Sequence, residues 1–315
     1  MADSFSEAAI VNQSHPPLVM ARSVRTFSAC RQSGPREWAF DWRFAEDDEA
    51  FRGHFPGHPI LPGAFLLEMA QRAAEHALAW SGLLGRRVTS VSRLRFQNPV
   101  LPGDTCTLHV AWDDAAEIRI RFTKPGATVA TGTFGTGPEL RQVEDTSAAS
   151  ETALPPDPTV ALNVLPHGHP MRLVDRIALD GTDRVIAYKN ITLNEPCFSE
   201  AHRGMCEAQL AYPLALLVES FAQGAGLLLS RRGFFAGAQG GVSLTVFGEF
   251  RGIHLLDHAL PGDRLGHDVR LLECGRNVAH LCGQTSAGGR LIARFDDLMA
   301  FSIGTKSLAA AGSAP

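Results

Sequence analysis

The chain has 315 residues, enough for two domains that each bury their own core. It is 45% hydrophobic and 20% charged with a formal net charge of −4, so it lacks the basic excess that nucleic-acid binding needs, and any basic docking face must be local. Six scattered cysteines (Cys30, Cys106, Cys197, Cys206, Cys274, Cys282) form no zinc-type spacing, the N-terminus has no secretory pattern, and no run approaches ~18 apolar residues, which together lead us to expect reduced thiols, a cytoplasmic protein, no metal site and no membrane span.

In chain order, β-like segments at Ala21–Ala29 and Glu37–Phe44 lead into a Pro- and Gly-rich loop, Gly53–Gly63. An apolar helical run follows at Ala64–Trp80, and then strands at Thr89–Gln97, Thr105–Trp112, Glu117–Phe122 and Val129–Phe134. From about Gly137 to Thr159 the chain is rich in Pro, Ser, Ala and acidic residues without either period, which suggests a linker. The second half repeats the plan, with strands at Leu173–Ile177 and Arg184–Leu193, a helix at Pro213–Ser230, and strands at Gly241–Phe250, Leu265–Leu272, Val278–Ser286 and Leu291–Ile303.

Two matches in the same order make this one unit written twice. Leu101-Pro102-Gly103-Asp104 returns as Leu260-Pro261-Gly262-Asp263, and the helices align Glu68-Met69-Ala70-Gln71 with Glu219-Ser220-Phe221-Ala222-Gln223. The expected organisation is a first unit at 1–137, a linker at 138–159, a second unit at 160–305 and a tail at 306–315. A helix apolar around most of its circumference must be wrapped by its sheet, so the fold class is α+β.

Three prolines and three glycines across the eleven residues Gly53–Gly63 fix the loop's path and let its backbone approach a ligand closely. A histidine held there, His54, is poised to act as a neutral general base. Gly63 opens the helix, so its N–H is a first-turn donor for a developing negative charge. A carboxylic acid facing the histidine, kept protonated by burial, could give its proton to a departing group. His58 is expected to be structural, and Gln71 and Gln223 to bond near their own helices.

The run His54-Phe55-Pro56-Gly57-His58-Pro59-Ile60-Leu61-Pro62-Gly63, with Glu68 14 residues after His54, strongly resembles the β-hydroxyacyl-acyl carrier protein dehydratases of fatty-acid and polyketide synthesis, whose pattern is H-F-P-G-x-P-x-x-P-G-x-x-x-x-E. Leu165-Pro166-His167-Gly168-His169-Pro170-Met171-Arg172-Leu173-Val174-Asp175-Arg176 and Lys189–Pro196 resemble the opening strands of the same family. The resemblance implies a double hot-dog fold: two antiparallel sheets, each wrapped around a central helix and joined as an internal pseudo-dimer that could associate further. It also implies a hydro-lyase of fatty-acid or polyketide/polyene biosynthesis, the aryl-polyene type II pathways included, with an acyl carrier protein as partner and no cofactor beyond the carrier's phosphopantetheine arm.

In that family each site takes its histidine from one unit and its acid from the other. His54 is therefore expected to face Glu219, and a second site would pair His202 with Glu68. Phe55, Gly57, Ile60 and Gly63 are the expected substrate and oxyanion positions, and Arg52, Arg93 and Arg95 the expected carrier-docking residues. The second half lacks the H-F-P-G core, has Leu214 where the helix-opening glycine should stand, and separates His202 from Glu219 by 17 residues. One intact site and one degenerate site follow. A hot-dog thioesterase and a non-catalytic carrier-binding subunit are the competing readings.

Overall fold

A computed structural model describes residues 24, 26–113, 117–137, 140, 143–144, 158–179, 181–234 and 243–304. Its two long helices are α1 (Gly63–Trp80) and α3 (Leu214–Arg231), with a short α2 (Pro158–Val164) between them. Each long helix begins directly after a proline, Pro62 or Pro213, with no side chain capping its first turn. The N-terminal N–H groups there are left for other partners. Every residue of α3 from Leu214 to Leu229 is buried, so its polar members Glu219, Ser220 and Gln223 need partners inside the protein.

The first unit contributes β1 (Ala29–Gly34), β2 (Glu37–Arg43), β3 (Arg87–Phe96), β4 (Thr105–Trp112), β5 (Ile118–Lys124) and β6 (Ala127–Gly137); the second contributes β8 (Arg176–Leu179), β9 (Arg184–Asn190), β10 (Ser243–Leu255), β11 (Arg264–Cys274), β12 (Val278–Ala287) and β13 (Arg290–Gly304). Alternation decides which face is inside: Cys106, Leu108, Val110 and Trp112 of β4 and Ile118, Ile120 and Phe122 of β5 all point to the core. The strands form one sheet in the order β1-β2-β4-β5-β6-β3-β10-β13-β12-β11-β9-β8. Outward from the β3–β10 seam the two halves show the same order. The seam is antiparallel, pairing Arg93 with Arg251, Leu94 with Phe250 and Arg95 with Glu249. This is a double hot-dog, with α1 and α3 as the wrapped helices.

The repeated Leu-Pro-Gly-Asp turns have the same construction. Asp104 Oδ2 accepts from Leu101 N–H at 2.8 Å and Asp263 Oδ2 from Leu260 N–H at 2.9 Å. Gly103 and Gly262 sit at φ +85° and +101°, where a side chain would be strained. The Asp104 and Asp263 carbonyls then accept from Phe44 and Ile191, tying each turn to the strand before its site loop.

Three expectations change. The first strand runs from Ala29 rather than ending there, because β1 is an exposed edge strand whose Arg31 and Gln32 hide the alternation (residues 21–23 and 25 lie outside the described set). Leu173 does not start a strand: its N–H goes to Gln223 Oε1 at 2.9 Å, and pairing begins at Arg176. Within the expected linker, most of which is outside the described residues, Val143–Glu144 form β7 against β13 and α2 begins at Pro158. All six cysteines are unpaired, and no described helix is long and apolar enough to cross a membrane.

Candidate active site

The loop before α1 is built from its anchors inward. Asp48 caps a short turn at Glu49–Phe51, Phe51 is buried, and Leu61 N–H bonds the Val100 carbonyl at 2.9 Å. Between these anchors His54 Nδ1 meets the Ile60 carbonyl at 3.2 Å, while Ile60 N–H donates to the His54 carbonyl at 3.2 Å. A carbonyl can only accept, so Nδ1 carries the proton and Nε2 presents a lone pair. Burial pushes the His54 pKa down to about 4; the nearby His167 adds to this, and Glu219 and Ile60 oppose it. The ring is thus a neutral base at neutral pH. Phe55 stacks on it with centroids 4.1 Å apart.

Gly63 places its N–H at the open end of α1, and its missing side chain makes room for Phe96, whose ring would lie 2.9 Å from a Cβ there. Gly57 takes φ +82° in the loop. Ile60 serves through its backbone, and His58 is exposed.

Glu219 of α3 reaches this loop from the second unit. Side-chain ligand atoms of His54, His167 and Glu219 lie within 4.8 Å of one another, all three residues buried. These groups could hold a divalent ion; they are equally the parts of an acid–base pair. Glu219 Oε1 receives Gln223 Nε2 at 2.9 Å and His167 Nε2 at 3.3 Å. Gln223 is itself fixed by donating to the Met171 carbonyl at 2.6 Å and accepting from Leu173 N–H.

This arrangement corrects one expectation. Burial does act to raise the Glu219 pKa, but the His167 hydrogen bond and charge, with His54 and Gln223, outweigh it and hold the carboxyl at about 2. The sequence reading placed His167 in an opening strand and gave it no part in the site. Its proximity to Glu219 is a contact across 52 residues of chain, and only the Leu-Pro-His motif could have drawn attention to it.

Three further contacts hold His167. Arg172 Nη2 bonds its carbonyl at 2.9 Å, Phe55 lies 5.0 Å away ring to ring, and Gly168 N–H donates to the Gly53 carbonyl at 2.9 Å.

The pseudo-symmetric place is assembled differently. Phe198 and Tyr212 match Phe51 and Leu61, with Tyr212 N–H bonding the Ala259 carbonyl at 2.7 Å, yet 14 residues rather than 10 separate them. The longer loop leaves His202 exposed, its Nδ1 3.2 Å from the Glu200 carbonyl. Glu68 lies 3.7 Å from Arg72, which occupies the helix position of Gln223, and its charge reaches the buried Cys197. Gln71 is not the counterpart of Gln223; it reaches Glu75 at 3.5 Å.

Of the expected docking residues, Arg52 is exposed beside the histidine loop. Arg93 and Arg95 are exposed on β3, where Arg93 grips Glu249 at 2.9 and 3.3 Å and Arg95 lies 4.0 Å from it. Burial works to raise the Glu249 pKa, but Arg93 and Arg251 hold it below the usual range.

Residues 30–133 match the ApeI-like family of ApeI dehydratases, and residues 165–296 match the FabA-like domain. The 3-hydroxyacyl-[acyl-carrier-protein] dehydratase FabZ of Mannheimia succiniciproducens is 32% identical over 131 residues, 41% of this chain and 82% of that protein. The enzyme of the same name from Latilactobacillus sakei is 37% identical over 133 residues, 41% of this chain and 89% of that protein. Among solved structures, the dehydratase domain of PpsC from Mycobacterium tuberculosis, in complex with C12:1-CoA, superposes with a TM-score of 0.64 at 15% identity, covering 92% of this chain and all of that one. The dehydratase domain from the CurJ module of curacin polyketide synthase gives 0.63 at 13%, covering 89% and 98%. The chain therefore belongs to the FabZ/FabA-like hot-dog dehydratases, in double hot-dog form, and is an enzyme that carries out a dehydratase-type reaction on acyl thioesters.

Proposed function

We propose that this enzyme removes water from β-hydroxyacyl thioesters carried on an acyl carrier protein, giving trans-2-enoyl thioesters in fatty-acid or polyketide/polyene biosynthesis in the cytoplasm. The observation that carries the reading is the meeting of a neutral His54, its Nε2 unprotonated, with Glu219 from the opposite unit. His54 takes the α-proton, the Gly63 N–H supports the enolate, and Glu219, a carboxylate in the empty site, takes up a proton as substrate displaces water and passes it to the leaving β-hydroxyl. Phe55, Gly57 and Ile60 shape the pocket. The names of the FabZ relatives support a carrier-bound substrate. Arg52, Arg93 and Arg95 are the proposed docking residues for the carrier, which is usually acidic, and the degenerate second site is proposed to be silent.

The test is mass spectrometry of an acyl carrier protein loaded with β-hydroxyacyl chains of graded length after incubation with the enzyme. A loss of one water from the intact thioester is expected, and its absence in His54→Ala. Release of free acid would instead indicate a thioesterase, and carrier binding without conversion a non-catalytic subunit.

A further inference from the structure

Among the described residues, the His, Cys, Asp and Glu side chains that come close enough together to hold a metal ion are the buried trio His54, His167 and Glu219, whose ligand atoms lie within 4.8 Å of one another. The sequence reading judged metal binding from cysteine spacing, and this trio comes together only through the fold. Two imidazoles and a carboxylate are a donor set of catalytic zinc sites, and imidazole suits zinc, copper or nickel where magnesium takes oxygen. Zinc bonds of about 2.0–2.2 Å to nitrogen and oxygen set the ligand atoms about 3.3–3.6 Å apart around a tetrahedral ion. His167 Nε2 and Glu219 Oε1 already stand at 3.3 Å, and closing the remainder from 4.8 Å takes about 1.5 Å of side-chain movement at most.

The contacts around the trio are of the kind that orient metal ligands. The Ile60 carbonyl holds the proton on His54 Nδ1, so Nε2 enters the group with its lone pair forward. Gln223 Nε2, anchored on the Met171 carbonyl, fixes Glu219 through Oε1. His167 lacks such support, because its Nδ1 is buried with no hydrogen-bond partner among the described residues. When Nε2 binds an ion, Nδ1 carries a proton that nothing there accepts. A missing outer partner costs about 10- to 100-fold in metal affinity, which makes binding here roughly micromolar and reversible.

We propose that the trio is a reversible inhibitory zinc site, in which Zn²⁺ takes His54 Nε2, His167 Nε2 and a Glu219 oxygen, with water as the fourth ligand. The binding half of this rests on the geometry alone, and the inhibitory half on the dehydration reading above. The ion occupies both the lone pair with which His54 takes the α-proton and the carboxylate through which a proton reaches the hydroxyl. Zinc and turnover therefore exclude each other, and activity falls as free zinc rises and returns on chelation.

Titration of the full-length wild-type protein with Zn²⁺ against a chelating dye should show one equivalent bound with a roughly micromolar Kd, and Mg²⁺ at the same concentrations should not bind. Co²⁺ in its place should give the intense visible bands of a four- or five-coordinate ion. His167→Gln should weaken Zn²⁺ binding about tenfold or more. The paired change His254→Gln and His280→Gln, which removes two imidazoles that sit against Asp296 and Asp297 outside the site, should leave it unchanged. In the wild-type protein, where no variant has to fold, Zn²⁺ should shift the imidazole ¹⁵N signals of His54 and His167 before those of His254 and His280. Micromolar Zn²⁺ should raise the apparent KM for the acyl-carrier thioester with kcat unchanged, and chelator should reverse this. Binding that follows His254 and His280, that leaves the His54 and His167 signals unmoved, or that fills the site without slowing turnover overturns the proposal. If the wild-type enzyme yields no enoyl product while Zn²⁺ still binds the trio, it is the dehydration reading that fails, and the inhibitory half with it, while the site stands.

Discussion

The backbone N–H of Gly168 donates to the carbonyl of Gly53 at 2.9 Å, so each residue neighbouring a site histidine is bonded to the other across the two units. The bond fixes the separation of His54 and His167. It also explains the glycines: a Cβ on Gly53 would stand 2.6 Å from the Gly168 carbonyl oxygen, and one on Gly168 would stand 3.2 Å from Pro56 Cγ.

Gly53→Ala should therefore be costly in two ways. The residue sits at φ +85°, and the clash is with backbone, which cannot swing aside. A loss of about 1 to 3 kcal/mol in unfolding free energy is expected, with a clear fall in kcat. Gly126→Ala, at φ +73° in a turn with nothing within 4 Å, carries strain alone and should leave kcat unchanged. Denaturant titrations and steady-state rates on the two variants check this.

Gln223 satisfies three buried groups at once: Leu173 N–H, the Met171 carbonyl and Glu219. Gln223→Leu retains volume but strands the two backbone groups, at roughly 1 to 3 kcal/mol for each. Denaturant titration should show this loss. Because Gln223 also helps keep the Glu219 pKa low, the substitution should raise that pKa, readable by ¹³C carboxyl titration.

Acid should destabilise the fold from about pH 6.5 downward. His54 and His267 are buried, which lowers their pKa values from 6.5 to about 4 and about 3, so between those values and 6.5 the unfolded chain binds protons that the folded chain refuses. Stability therefore falls as pH drops through that window. Glu219, depressed from 4.5 to about 2, contributes stability that is present above 4.5 and lost as pH falls toward 2. Urea midpoints at pH 7 and pH 5 should differ in that sense, and His267→Gln should reduce the difference. His267 Nε2 is buried with no hydrogen-bond partner among the described residues, so its protonation gains little.

Carrier docking should weaken with salt and with charge reversal at Arg52 and Arg95. Arg93 and Arg95 are less clean probes than Arg52, because both lie against Glu249 and a glutamate at either position would face another carboxylate. The KM for carrier-bound substrate should rise several-fold in Arg52→Glu and Arg95→Glu at low salt and converge on wild type at high salt. An unchanged KM would place the docking face elsewhere.

The elements that could be read from the sequence were those with a dominant period or a dense motif. The strand at Thr105–Trp112 alternates cleanly, α1 and α3 are apolar runs behind a proline, and His54 is marked by the prolines and glycines around it. What could not be read depends on tertiary partners. β1 is polar on both faces because it is an edge, β8 starts late because Gln223 takes the Leu173 N–H, and His167 has a role only because the fold brings Glu219 beside it. The same contact turned an expected neutral acid into a carboxylate at rest.

The composite site across the two units is tested most directly by comparing kcat for Glu219→Gln and Glu68→Gln in equally stable proteins. The amide retains size and much of the hydrogen bonding, so a large effect reports the missing proton. Glu219→Gln should slow turnover by roughly 10² to 10⁴-fold. Glu68→Gln should cost far less, since Glu68 sits beside Arg72 and the histidine on its side, His202, faces solvent. A crippled Glu68→Gln beside a nearly silent Glu219→Gln would contradict the composite site and show that the first unit works with its own acid.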